Sequence, residues 1–309
     1  QAHRHCHLAK REPAPHARIQ PVWQSRHQQR IILRLPEKTN KADWNKGVQS
    51  SRLKIILKII NKLTMIYYFS GTGNSLHVAR HLSSLLGENI QEITLTTEAE
   101  ASSTCTGLVF PVYAWGLPNI VLHFIKKNAS RISNSQYVYS VMTCGDDIGY
   151  ADRILRKHLN GHLNAAFSVP MPNTYVCLPG FDTDTDEVAN AKLTKTKNMM
   201  PHIIDLITKK EHATEVTRGN CPWIKSYVLR PLFNRFLVND KHFHTTNACI
   251  LCKRCVNTCP THNIEIYDNH IQWQHFYCTG CLRCYHTCPQ KAIEYGSFTK
   301  NKRQKNIIK

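Results

Sequence analysis

Two stretches of the chain share one rhythm of cysteines: residues 249–260 read CILCKRCVNTCP and residues 278–289 read CTGCLRCYHTCP. Each is C-x2-C-x2-C-x3-C-P, the second starts 29 positions after the first, and together they use eight of the 13 cysteines. The surrounding segment, 245–298, is too small to stand on a hydrophobic core alone and needs a staple. Residues at the start of the chain show neither the apolar core nor the small-residue cleavage site of a secretory signal. The expected compartment is therefore reducing and cytoplasmic, where disulfides are a poor use of cysteine and metal or cluster ligation a better one.

Soft thiolates suit iron in a sulfide cage, and two-residue gaps let three of them wrap one cluster from a single loop. The fourth cysteine follows after three residues and precedes proline, which sends it away from its own loop. Zinc motifs are the main alternative, but they pair two C-x2-C units across a longer gap. The repeat runs on past the cysteines, with TCPTHNIEIY (258–267) matching TCPQKAIEY (287–295), and IEIYDNHIQW between them reads as a hairpin turning at Asp268-Asn269. The segment resembles bacterial two-cluster ferredoxins, small α+β domains. The resemblance implies one [4Fe–4S] cluster on Cys249, Cys252, Cys255 and Cys288, and another on Cys278, Cys281, Cys284 and Cys259. Among the other cysteines, Cys105, Cys177 and Cys221 read as small apolar residues; Cys144, at a strand's carboxyl end, is a candidate to line a site.

The formal charge of +19 invites a nucleic-acid reading, but the charge sits at the ends. Residues 1–64 hold 14 Lys and Arg against 3 acidic residues, the tail 299–309 adds +5, and residues 65–298 carry only +3. No nucleic-acid partner is expected. Residues 1–64 lack a sustained apolar period and read as a disordered leader or an artefact of the start assignment. The tail is a candidate arm for an acidic redox partner or simply a solvated terminus. No run of about 18 apolar residues occurs, so no membrane span is expected.

From Met65 strand and helix alternate. MIYYF (65–69) is a buried strand, 74–86 a helix stopped by Gly87, 89–93 a weak strand and 107–113 a strong one, followed by a helix opened by Pro118. Then come a strand at 137–143, a helix at 151–159, a strand at 165–172 and a long helix at about 186–209. Five strands alternating with helices imply a doubly wound parallel sheet. Residues 223–238 read as a helix broken by Pro231, within a helical linker at 212–244.

The first strand feeds its helix through FSGTGNS (69–75), where open α/β sheets hold phosphates on backbone N–H groups. Leu76 stands where a dinucleotide fingerprint wants glycine, and no lysine makes a P-loop. Instead Ser70, Thr72, Ser75 and Asn74 surround Gly71 and Gly73 with hydroxyls and an amide, which suits a terminal phosphate monoester such as that of FMN. The segment resembles the phosphate loop of flavodoxins, implying strand order 2-1-3-4-5 and FMN at the β1/β3 switch point. The resemblance places Tyr113 and Trp115 of PVYAWGLP (111–118) beside the flavin ring, and Cys144 and Gly145 of TCGDD (143–147) at its other side. Asp146 and Asp147 depart from the small residues commoner there.

In this order the halves resemble flavodoxin–ferredoxin fusions of anaerobic bacteria over most of 65–300: a flavin domain at 65–211, the linker, and the cluster domain. The resemblance implies electron transfer between FMN, two clusters and an external partner, either a protein or a small donor or acceptor. No general acid–base pair or nucleophile triad is seen, so an electron carrier is expected over an enzyme. The alternatives are a flavin-dependent reductase fed by its own ferredoxin domain and a zinc-stabilised nucleic-acid-binding module.

Overall fold

The computed structural model describes residues 64–305 except 102 and 237. Of the leader expected at 1–64, residues 1–63 lie outside the described residues, as do 306–309 of the tail, while Thr64 opens the first strand.

Strands β1 (Thr64–Tyr68), β2 (Asn89–Glu92), β3 (Cys105–Pro111), β4 (Tyr137–Cys144), β5 (Ala165–Pro170) and β6 (Ala213–Glu215) form one parallel sheet in the order β2-β1-β3-β4-β5-β6. This is the flavodoxin-like order with one strand added. The five-stranded expectation is thus corrected to six, and the 211/212 boundary falls just before a strand. Three residues, ATE, are too few to show a period; pairing of Ala213 with Ala165 and Glu215 with Phe167 makes them an edge strand.

The sheet is covered on both faces, which is why its central strands are apolar throughout. All eight residues of β4 are buried. Helices α1 (Asn74–Leu86) and α4 (Asp186–Thr208) bring Val78, Leu82, Met200 and Ile203 to the face carrying Ile66 and Val109. Helices α2 (Asn119–Ser133) and α3 (Ala151–His158) bring Val121, Phe124 and Leu155 to the face carrying Tyr67 and Leu108. Neighbouring strand residues feed opposite cores, as a two-residue repeat requires.

The linker is not broken at Pro231. Helix α5 (Pro222–Ile224) runs through a π-helical segment, Lys225–Leu229, into α6 (Arg230–Phe236). Proline has no N–H and its ring clashes with the carbonyl four residues back; the wide turn just before it takes up the misfit. The helix is turned with Lys225 and Arg230 inward. Lys225 pairs with Asp147 at 2.6 Å and Arg230 donates to the Leu117 carbonyl at 2.7 Å, while Trp223, Tyr227, Leu232 and Phe236 are exposed.

The small domain begins before 245. β7 (Phe243–Thr245) pairs antiparallel with β10 (Ile293–Tyr295), and β8 (Ile264–Tyr267) with β9 (His270–Trp273) through the expected turn, where Asp268 and Asn269 take φ of 47° and 59°. Helices α7 (Arg254–Thr258) and α8 (Arg283–Thr287) follow the cysteine loops. The repeat is exact enough to be seen in the backbone: Lys253 and Leu282 both precede their helix in the left-handed region, and Cys259 and Cys288 share ψ of 116°. A following proline forces that extended conformation, which carries each fourth cysteine out of its own loop.

Described residues of the tail fold back instead of projecting. Lys302 Nζ donates to the carbonyls of Val176, Leu178 and Phe181, and Lys305 pairs with Asp186 at 3.0 Å. Those two lysines are engaged within the chain, whereas Lys300 and Arg303 stay exposed.

Candidate functional site

The cysteines fall into two crossed sets. Cys249, Cys252, Cys255 and Cys288 line one cavity. The Cys255 thiol feels the charges of Cys249 and Cys288, whereas Cys278, Cys281 and Cys284 all feel Cys259. Burial first, and neighbouring thiols next, push Cys278 up to about 12; burial pushes Cys255 up to about 11 and Cys284 well above the ordinary thiol range. Cys278 and Cys281 keep some accessible surface, on the open cavities that flank their loop. Thiols of this kind remain protonated until a metal takes the proton's place. Among the described residues no group of three His, Cys, Asp or Glu side chains is placed to hold a single metal ion.

The second cysteine loop abuts the sheet's carboxyl edge. There a cavity of about 530 Å³ is bounded by Tyr113 and Trp115 after β3, Cys144 and Gly145 after β4, Met171–Tyr175 after β5, and Thr279–Leu282 of the small domain. That volume lies in the range of cofactor sites. The turn Tyr113–Gly116 closes with two backbone hydrogen bonds, 3.0 and 3.1 Å, and holds Ala114 and Trp115 at φ of 45° and 59°. A bulky residue in the left-handed region costs about 1–2 kcal/mol, and such strain is typical of ligand sites. Lys225 Nζ sits 5.5 Å from the Trp115 ring. Cys144 lines the cavity as expected, but burial and the two nearby aspartates push its thiol up to about 12, so it is an inert wall. Asp147 holds Lys225, and Asp146 stands exposed 3.8 Å from Lys192.

The Gly-Thr-Gly loop opens α1 as expected, with Gly73 at φ 105° and no side-chain cap, so the first-turn N–H groups are not taken by a capping side chain. Its side chains are placed differently from the sequence expectation. Of the six loop residues, Asn74 alone lines the cavity. Ser70 Oγ accepts from the Gly73 N–H, Thr72 bonds Thr174 at 3.1 Å, Ser75 bonds Thr143 at 2.8 Å, and the Asn74 amide donates to the Pro172 carbonyl at 2.8 Å. Hydroxyls expected to face a phosphate instead bond within the loop, to β4 and to the 172–174 segment.

Arg283 is the residue that sequence reasoning missed. Its guanidinium donates to the carbonyls of Ser70, Gly71 (3.4 Å) and Thr258 (3.1 Å) and meets Glu92 at 2.5 Å. It therefore clamps the phosphate-type loop, β2 and both cysteine runs together. Gly71 is required by this closeness, since a side chain there would collide with the Cys281 carbonyl. His286 makes a second pin: burial holds it down to about 4, and as a neutral ring it donates to the Thr174 carbonyl at 2.7 Å and accepts from the Lys305 N–H at 3.2 Å. The available signal was small. Lys253 of the first run is replaced by Leu282 in the second, the mark of a loop that turns from water to a protein surface.

Asn74 and Thr279 border the cavity, and their Oδ1 and Oγ1 atoms are buried away from it without a hydrogen-bond partner. The lining sets a few polar groups among aromatic and aliphatic walls, the composition of a cofactor pocket. An aromatic heterocycle with ring N–H and carbonyl groups, such as a flavin, meets that description.

Residues 241–289 match a family model described as a 4Fe–4S dicluster domain. A search of curated proteins finds no match. Among solved structures, the chain is similar to a protein provisionally called a flavoprotein from Bacteroides eggerthii, with 15% identity over 34% of this chain and 86% of that one, TM-score 0.30. It is also similar to rubredoxin oxygen:oxidoreductase from Desulfovibrio gigas, with 11% identity over 48% and 36%, TM-score 0.30. An FMN-dependent NADH-azoreductase from Bacillus anthracis gives 10% identity over 46% and 99%, TM-score 0.31. Likenesses this weak carry no argument; the flavodoxin-like assignment stands on the strand order.

Proposed function

We propose that this is an electron-transfer protein in which an iron–sulfur domain exchanges electrons with a flavin held at the carboxyl edge of the parallel sheet, and through it with an external partner. One observation carries the reading: the cavity that suits a flavin has the cysteine loop Thr279–Leu282 as one wall. Flavin holds one or two electrons and clusters pass one at a time, so the pair would convert single-electron into hydride-level chemistry. Cys249, Cys252, Cys255 and Cys288 would ligate an outer cluster, and Cys259, Cys278, Cys281 and Cys284 an inner one. The first-turn N–H groups of α1 would hold the phosphate of FMN, and Tyr113, Trp115, Gly145 and Asn74 would bound its ring and side chain. The proposed division is a flavin domain from 64 to 215, a helical linker from 216 to 240 and a cluster domain from 241 to 298.

No helix among the described residues is long and apolar enough to cross a membrane.

The test is anaerobic purification with iron, sulfide, zinc and flavin analysis, followed by rapid mixing with a one-electron donor. About eight irons and one flavin per chain are expected, with flavin reduction at a rate independent of protein concentration. Zinc without sulfide would overturn the reading, as would a rate rising with concentration. Reoxidation that needs a small organic acceptor would make the protein a reductase.

A further inference from the structure

We infer that a second cavity, flanking the inner cysteine loop, binds a small aromatic anion that exchanges electrons with the inner cluster proposed above. The inference rests on that electron-transfer reading and gives its external partner a chemistry and a place. The cavity holds about 450 Å³ and lies between α2, the end of the linker and residues 275–278. Its volume is within the range of small-molecule sites. The inner loop therefore has a cavity on each flank, with Cys281 bordering the flavin cavity and Cys278 this one.

The lining is aromatic and its uncompensated charge is positive. Phe276 is 82% exposed although Asn263 Oδ1 holds its N–H at 3.0 Å, so a phenyl ring stands at the cavity on a fixed backbone. Tyr277 meets His123 of α2 edge-on, with 6.2 Å between ring centres. Lys126 and Lys241 border the cavity from α2 and from the linker's end; both are exposed, and neither enters an ion pair among the described residues. The carboxylate of the lining is already occupied: Asp240 accepts from Asn263 Nδ2, from the His275 N–H at 3.2 Å and from His275 Nδ1 at 2.8 Å. The cysteine repeat does not call for this network, since Ala292 stands in the second repeat where Asn263 stands in the first. Two ammonium groups beside an exposed ring suit a flat anion, whose charge the lysines pair and whose ring Phe276 covers. A bound quinone would become a hydroquinone with two electrons, passed singly through the inner cluster, and two protons from water.

The test uses full-length, cluster-loaded protein prepared without oxygen and saturated with FMN, so that the flavin cavity is filled. Binding of anthraquinone disulfonate and of neutral hydroxymethylanthraquinone to the oxidised protein is measured by calorimetry, with iron counted in every sample. The disulfonate should bind more tightly than the neutral compound, and salt should weaken it alone. K126Q and K241Q should each raise Kd for the disulfonate about two- to fivefold, the range of an exposed ion pair. Both should leave the neutral compound within about twofold, and K126R and K241R should bind the disulfonate as wild type does, within about twofold. F276A should weaken both compounds alike. Reoxidation of the reduced clusters by the disulfonate should slow in the same order. Disulfonate affinity unchanged in the double glutamine variant would overturn the inference, as would a wild type that binds neither compound; both results leave the electron-transfer reading intact. A protein that holds zinc and takes up no flavin would overturn that reading as well.

Discussion

The two cysteine runs have the same motif and the same backbone turns, yet opposite surroundings. In the first, Ile250 is 60% exposed and Cys252, Lys253 and Arg254 face outward. In the second, Thr279 is 3% and Leu282 5% exposed, and the Arg283 guanidinium is gripped by Ser70, Gly71 and Glu92. Ligand chemistry is therefore set by the spacing both runs share, while the role of each run is set by three positions between the ligands. The outer run presents a basic, accessible rim, and the inner run is a wall of the cavity at the sheet's carboxyl edge.

The largest effect should come from unequal damage to the two sets. Cys259→Ala removes a ligand from the inner set although it lies in the first run. It should abolish the inner cluster and, by loosening the Thr279 loop, lower flavin affinity roughly tenfold or more. Cys252→Ala should cost the outer cluster and leave flavin binding within about twofold. Resolved cluster spectra with flavin titration decide the matter. If Cys259→Ala spares the inner cluster, each run binds its own metal and the contrast collapses.

A somewhat smaller effect separates the matched arginines. Arg283→Ala leaves two loop carbonyls and Glu92 without their buried partner and should destabilise the protein by about 2–4 kcal/mol. Arg254→Ala, on the exposed rim, should stay within about 0.5 kcal/mol. Urea midpoints of the two variants give the comparison directly; equal midpoints would mean that the clamp contributes nothing.

Much of the fold was legible because its signals are periodic or local. The helix expected at 74–86 is Asn74–Leu86, and the hairpin turn is at Asp268-Asn269. The sixth strand was not legible, because Ala213–Glu215 has no pattern until Ala165–Phe167 lies beside it. Nor was the fate of Thr72 and Asn74, whose side chains bond Thr174 and Pro172, about a hundred residues away. The site showed the same limit. Tyr113, Trp115, Cys144 and Gly145 were placed from one half of the chain, but the wall made by Thr279–Leu282 depends on how two domains meet. Motifs report what a residue can ligate; contacts between distant segments decide what it faces.

The smallest effect concerns electron entry at the outer rim. Lys253 and Arg254 are exposed beside Cys252 and Cys255, and neither has an ion-pair partner among the salt bridges of the described residues. They can therefore act at a distance on an approaching partner. Replacing both with alanine should slow reduction by an acidic donor protein about three- to tenfold at low ionic strength, because steering acts on the encounter rate. The difference should fade as salt shortens the screening length below about 10 Å. A small neutral donor should reduce wild type and variant alike, since it feels no field. If the acidic donor ignores Lys253 and Arg254 at low salt, electrons enter elsewhere, and the outer run's exposure is not its port.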